Sequence, residues 1–309
     1  GFIHNYLRRN NKLIKRFRYV APQVWAWRPG RAKKLSYLVD HLLTLFPFEP
    51  EIFRKYGLRT TFVGHPIIYS LNQEDRLGDF REINLISSSD LVISILPGSR
   101  ISEVNKLGPV LVQTLKKISK TFDNIKVIIP TVNNLRNDIS ILFEGMDFPI
   151  FIITDYEQKI NALKSSDVAI AASGSVSLEL AMLDVPHIIT YKVNPISAVL
   201  FKFLSLTKYV NIINYLYDEE IIPELLQSKC NQEDLYRASI ALLKNKDMHS
   251  KKRVNEELMK NLVNDLDKSL RDVGISDMSI GKYVKKYVKK FYYRLKILDP
   301  IFENINNYE

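Results

Sequence analysis

The clearest alternation of apolar and polar positions begins near Leu91. Val92-Ile93-Ser94-Ile95-Leu96 is a nearly unbroken apolar run of the kind buried on both faces of a parallel sheet. From Ser102 to Lys120 the spacing changes. Val104, Leu107, Val110, Leu111, Leu115 and Ile118 recur at helical intervals and predict an amphipathic helix. The same two periods then take turns. Strands are predicted at 125–129 (ended by Pro130), 149–154, 167–170 and 186–191. Helices are predicted at 135–143, at 156–165 and from about Leu178 onward. Regular strand–helix alternation predicts an α/β domain, a parallel sheet with helices on both faces.

Upstream the pattern is similar but shorter. A helix is predicted to residue 17, a strand at 18–22, a helix at 31–39, and a strand at 41–46 ended by Pro47. A short helix over 49–56 is stopped by Gly57, and a strand at 60–66 leads into a Gly64-His65-Pro66 turn. This is too few elements for a full doubly wound domain. Residues 67–90 are polar and irregular, and read as a connection. Beyond Asn194 the chain predicts a helix at 197–206, extended segments at 209–214 and 221–227, and helices at 231–244 and 249–270. The organisation expected is an incomplete Rossmann-like domain over 1–75, a complete one over 90–245, and a helical, basic, aromatic tail over 246–309.

Composition narrows the classes. Of 309 residues, 46% are hydrophobic, enough for real cores. The single cysteine, Cys230, excludes a disulfide framework within the chain and fits a reducing compartment. No apolar run reaches the roughly 18 residues of a spanning helix, and no stretch reads as a signal peptide. The net charge of +10 is unevenly placed. Gly1 to Val39 carries ten Lys/Arg and no acid, and Gly281 to Lys296 carries seven and none. Such asymmetry fits an anionic partner, whether phosphorylated substrate, anionic lipid or nucleic acid; it also fits a solvated helix face. With no nucleic-acid-binding module in view, nucleic acid is not expected as the partner.

Two loops carry candidate chemistry. Pro97-Gly98-Ser99-Arg100 follows one predicted strand, and Ser173-Gly174-Ser175 follows another. In a parallel sheet both lie at the C-terminal edge, where ligands bind. Arg100 supplies a guanidinium that can grip phosphate oxygens. Ser173, Gly174 and Ser175 precede a helix whose free N–H groups favour an anion. Glu179, one turn further on, suits the hydroxyls of a ribose. Together these fit a nucleotide diphosphate, although 173–179 equally fits an ordinary helix capped by Ser173 or Ser175. There is no G-x-G-x-x-G and no Walker A sequence, and the five histidines are too isolated for a metal site. Neither a metal nor a cofactor is expected. Both tryptophans, Trp25 and Trp27, lie beside Arg28 and Arg31. That combination suits a membrane interface or a phosphorylated ligand, and equally an anchor plugging a domain edge.

Several ordered motifs carry a family resemblance. They are Tyr19 to Arg28, Phe46-Pro47-Phe48-Glu49, Phe62 to Pro66, Leu96 to Arg100 with Glu103-Val104, Ala172 to Ser175 with Glu179, and Pro223 to Gln227. From Gly1 to about Leu270 the chain resembles the lipid-A-disaccharide synthases. The resemblance implies a GT-B fold of two Rossmann-like domains. It also implies inverting transfer of 2,3-diacylglucosamine from its UDP derivative to 2,3-diacylglucosamine 1-phosphate, with release of UDP. The setting implied is the cytoplasmic face of the inner membrane of a Gram-negative bacterium. Gly98, Ser99 and Arg100 would then stabilise the departing UDP. Ser173, Gly174 and Ser175 would hold the diphosphate, Glu179 the ribose, and Asn214 would lie near the cleft. Trp25, Trp27, Arg28 and Arg31 would meet the membrane or the acylated acceptor. The acidic general base of the family would lie before Gly1, so no catalytic residue is assigned within the chain. A non-catalytic membrane-associated remnant, or another GT-B enzyme using UDP-N-acetylglucosamine, are the competing readings.

Overall fold

A computed structural model describes residues 6, 15–25, 29–63, 79–172, 176–194 and 207–244. The described residues divide into two compact units. The first holds 15–22 and 30–63, and the second 23–25, 29 and everything described from 79 onward.

The first unit is a parallel layer of three strands. They are β1 (Phe17–Tyr19), β2 (His41–Thr44) and β3 (Arg59–Phe62), in that spatial order, with helices α1 (Gly30–Leu38) and α2 (Glu49–Arg54) between them in the chain. Leu42, Phe53 and Phe62 are almost fully buried in its core, beside Ala32 and Leu35. Gly57 ends α2 as expected. At φ +71° its N–H bonds the Arg54 carbonyl, and Leu58 N–H reaches back to Phe53. Two carboxylates hold the layer together. Asp40 accepts from the Arg16 backbone N–H and, through both oxygens, from its guanidinium at 2.8–2.9 Å; this holds its carboxyl down to about 2. Glu49 is buried, and its Oε2 accepts from Leu45 N–H and Phe46 N–H at 3.0 Å each. Burial nonetheless pushes its carboxyl up to about 6, with the two N–H groups pulling the other way.

The second unit is a six-stranded, all-parallel sheet. Its strands are β4 (Leu91–Leu96), β5 (Ile125–Pro130), β6 (Ile150–Ile153), β7 (Val168–Ala172), β8 (His187–Tyr191) and β9 (Glu224–Leu226), in spatial order β6-β5-β4-β7-β8-β9. The intervening helices are α3 (Phe80–Ile83), ahead of β4, then α4 (Ile101–Ser119), α5 (Arg136–Leu142), α6 (Tyr156–Lys164), α7 (Val176–Met182), α8 (Ile212–Tyr217) and α9 (Gln232–Lys244). Alternate residues of β4 feed opposite cores. Ile93 and Ile95 pack with Leu107, Leu111, Leu115 and Ile118 of α4, whereas Val92 joins Phe80, Ile86, Ile128 and Ala162. Burial on both faces is why β4 and β7 read as apolar runs. Among the described residues no helix is long and apolar enough to cross a membrane.

Two expectations need correction. Part of the presumed connection, from Asp79, belongs to the second unit. Asp79 caps α3 by accepting from Arg81 N–H, Phe80 is buried, and the Arg81 guanidinium reaches Ser165 O and Asp167 Oδ2. Four helical residues are too few to show a period. Likewise 209–214 is not simply extended. The Asn211 side chain accepts from Ile213 N–H and starts α8, overriding the strand preference of Val210, Ile212 and Ile213. The predicted helices at 1–17, 197–206 and 249–270, the Gly64-His65-Pro66 turn and the basic aromatic tail lie outside the described residues, apart from Tyr6 and 15–17 at the edge of the first; Phe17 there begins β1.

Candidate nucleotide-sugar site

The strand order fixes where a ligand belongs. From β4 the chain moves outward through β5 to β6. It then returns to place β7 on the other side of β4 and continues outward through β8 to β9. The order therefore reverses between β4 and β7, which pair with Leu96 opposite Ala171. Crevices at such a switch point, outside the carboxyl ends of the strands, are the binding sites of open α/β sheets. The two loops singled out from the sequence leave these same two strands.

The first loop is closed onto its own helix. Gly98 adopts φ +117°, and a Cβ there would stand 2.4 Å from Glu103 Oε2, so glycine is required twice over. Glu103, the third residue of α4, accepts from the N–H groups of Ser99 (3.0 Å) and Arg100 (3.3 Å) through Oε2. Its Oε1 accepts from Arg100 Nη1 at 2.8 Å. The backbone donors of this turn are thus turned inward, and its offering to an anion is the Arg100 guanidinium, 74% exposed. At the end of β8 the Tyr191 phenol is pushed up by burial and by the charge of Glu103, against the opposing pull of Arg100.

Ser173, Gly174 and Ser175 lie outside the described residues. The helix they lead into, α7, is tied to its neighbours by buried side chains. Ser177 is buried in a chain of hydrogen bonds with Asn211 and His187. His187 Nδ1 lies 2.9 Å from the Val185 carbonyl, which only accepts, so Nδ1 carries the proton. Ser177 Oγ then donates to His187 Nε2 (2.9 Å) and accepts from Asn211 Nδ2 (2.8 Å). The chain ties α7 to β8 and to the cap of α8. Glu179 is buried, with its Oε2 2.5 Å from Lys159 Nζ of α6.

Other expected residues fall elsewhere. Asn214 is fully buried and spent within the protein: Oδ1 accepts from Ile221 and Ile222 N–H, and Nδ2 donates to Ile222 O and Glu224 Oε1. It organises the segment entering β9 rather than presenting a free amide to a ligand. Trp25 is 7% exposed and stacks on Tyr215 at 4.4 Å, because an indole gains more from burial than from solvent. Its ring is interior, not a surface anchor. Trp27 and Arg28 lie outside the described residues, and Arg31 is exposed on α1. Lys159 was not visible from the sequence, being 20 positions from the carboxylate it pairs with. Among the described residues no group of His, Cys, Asp or Glu could hold a metal ion.

The class defined is an α/β protein of GT-B type. Solved structures share the fold. They include UDP-N-acetylglucosamine 2-epimerase from Neisseria meningitidis bound to UDP-GlcNAc (TM-score 0.52, 11% identity, 74% of this chain and 62% of that one). A putative UDP-N-acetylglucosamine 2-epimerase from Listeria monocytogenes is similar (TM-score 0.51, 15% identity, 70% and 54%). The model of the lipid-A-disaccharide synthetase family matches residues 2–278, and the chain belongs to that family. It is 39% identical over 241 residues to lipid-A-disaccharide synthase of Rhodospirillum centenum, covering 78% of this chain and 60% of that protein. It is 40% identical over 245 residues to that of Paramagnetospirillum magneticum, covering 79% and 63%. The chain thus spans about three fifths of the length of these relatives.

Proposed function

We propose that this chain forms the nucleotide-sugar-binding part of a glycosyltransferase of lipid A biosynthesis. The reaction is inverting transfer of 2,3-diacylglucosamine from its UDP derivative to 2,3-diacylglucosamine 1-phosphate, with release of UDP. The observation that carries this reading is the pair of loops flanking the β4/β7 switch point in a chain of this family. In this reading the Arg100 guanidinium meets charge developing on the departing diphosphate, electrostatic help that is strongest in the transition state. Ser173, Gly174 and Ser175 hold the diphosphate at the start of α7, and Glu179 accepts from the ribose hydroxyls. The basic segment before Val39 meets the anionic inner face of the inner membrane, where both acylated substrates reside.

The test is calorimetric binding of UDP to the 309-residue chain, with transfer assayed in parallel. UDP binds, and Arg100→Ala weakens it about tenfold or more, the loss of a charge-assisted hydrogen bond. Arg100→Lys, which keeps the charge but not the fork, falls between. UDP-2,3-diacylglucosamine outcompetes UDP-N-acetylglucosamine. A chain that ignores UDP, or that prefers the N-acetylated donor, refutes the proposal.

A further inference from the structure

Glu179 and Lys159 form a pair that the reading above leaves half explained. Both belong to the beginnings of helices that follow strands, Glu179 the fourth residue of α7 after β7 and Lys159 the fourth of α6 after β6. Both therefore lie at the C-terminal edge of the sheet, the ligand side. The Glu179 side chain is 8% exposed and that of Lys159 23%, so neither is a freely solvated surface residue, and Nζ stands 2.5 Å from Oε2. Local helix electrostatics give no reason for a cation there, since positive charge is favoured at the other end of a helix. The Lys159 ammonium also lies 5.4 Å from the centre of the Tyr156 ring, so its position is held from two directions. A half-buried cation kept near the wrong helix end, with its charge spent on one buried carboxylate, is explained by what that carboxylate must do.

We propose that Lys159 is the positioning residue for ribose recognition: by taking one oxygen of Glu179 it fixes the carboxylate plane and leaves the other to receive the 2′- and 3′-hydroxyls of the nucleotide. The inference rests on the nucleotide-sugar reading above. A carboxylate accepts several hydrogen bonds but turns freely about its last torsion, which is broad. A fixed ammonium removes that freedom before the ligand arrives, which is where preorganisation gains affinity.

The experiment compares UDP with 2′,3′-dideoxy-UDP by calorimetry on the full chain, for the parent, Lys159→Met and Lys159→Arg. The parent is expected to prefer UDP by about tenfold or more, the worth of hydrogen bonds to a charged acceptor. Lys159→Met brings the two affinities within about twofold by weakening UDP and sparing the dideoxy compound, while Lys159→Arg keeps most of the preference. Should Lys159→Met lose its far-UV circular dichroism, Lys159→Gln, a neutral donor, is read in the same way. Equal weakening of both nucleotides is the mark of a merely structural role and overturns the inference. A parent that binds both nucleotides equally overturns the ribose role alone. A parent that binds neither overturns the nucleotide reading as well.

Discussion

Replacing Glu49 by Gln is expected to stabilise the first unit at neutral pH. The buried carboxyl of Glu49 is pushed from its ordinary 4.5 up to about 6 by burial, in spite of two N–H donors on the same oxygen. The folded state therefore binds this proton more tightly than the unfolded chain. Between those two values it holds more protons, so stability falls as pH rises through the interval and levels off above about 6. The cost of keeping the ionised group at pH 7 is about 2 kcal/mol, from 1.36 kcal/mol per pKa unit. Glutamine keeps an oxygen for Leu45 and Phe46 N–H without the charge. Its amide must find a partner of its own, at a cost of about 1 kcal/mol if poorly satisfied. The expected gain is thus about 1 kcal/mol at pH 7.5, falling to zero at about pH 5 and turning into a loss of under about 1 kcal/mol at pH 4.5. Because the chain has two units, a global denaturation curve would blend them. Hydrogen exchange resolved over β2 and α2, variant against parent at each pH, reads the first unit alone. A variant less protected than the parent at pH 7.5, or a difference that does not change with pH, would refute the reasoning.

Three other substitutions test separate parts of the fold. Gly98→Ala puts a Cβ 2.4 Å from Glu103 Oε2 and strains φ +117°; it is expected to cost about 1–3 kcal/mol by hydrogen exchange resolved over the second unit, and to weaken UDP binding by unlatching Arg100. Ser177→Ala leaves His187 Nε2 and Asn211 Nδ2 without their shared hydroxyl, and the second unit should lose about 1–3 kcal/mol by the same measurement. Asp40, held down to about 2 by Arg16, contributes stability that is present above its ordinary 3.8 and lost as pH falls toward 2. Asp40→Asn should flatten that acid limb in exchange measurements over β1 and β2, by a modest amount because the carboxylate is a third exposed.

The second unit was legible in the sequence because its strands are buried on both faces and its long helix is not. Leu91–Leu96 could only be a central strand, and the spacing from Val104 to Ile118 could only be one face of a helix. Elements decided by a single side chain were harder to see. The α8 start rests on one Asn211 hydrogen bond among β-branched neighbours, and α3 rests on Asp79 and one buried phenylalanine. Trp25 shows the limit for surface chemistry. A tryptophan among arginines has the composition of an interface anchor, and only the position of Tyr215, 190 residues away, decides that it packs inward.

The site divides along the same line. Residue type and distance from a strand end singled out Arg100 and Glu179 as candidates, since both depend on local chain geometry. Their partners did not follow from type. Glu103 is three residues from Arg100, and its proximity in sequence gave no sign that it takes two backbone donors of the turn. Lys159 is on a different helix from Glu179 altogether. The reason is electrostatic. A buried charge is costly alone, so the fold supplies the 8%-exposed Glu179 with an opposite charge whether or not a ligand is present, whereas the solvated Arg100 has no such need. Ligand recognition at such a site is an exchange or sharing of partners, not the filling of empty valences. What a sequence motif names is the group that faces the ligand. Behind each such group stands a partner on another turn or helix, Glu103 of α4 for the Arg100 turn and Lys159 of α6 for Glu179, that only the folded chain reveals.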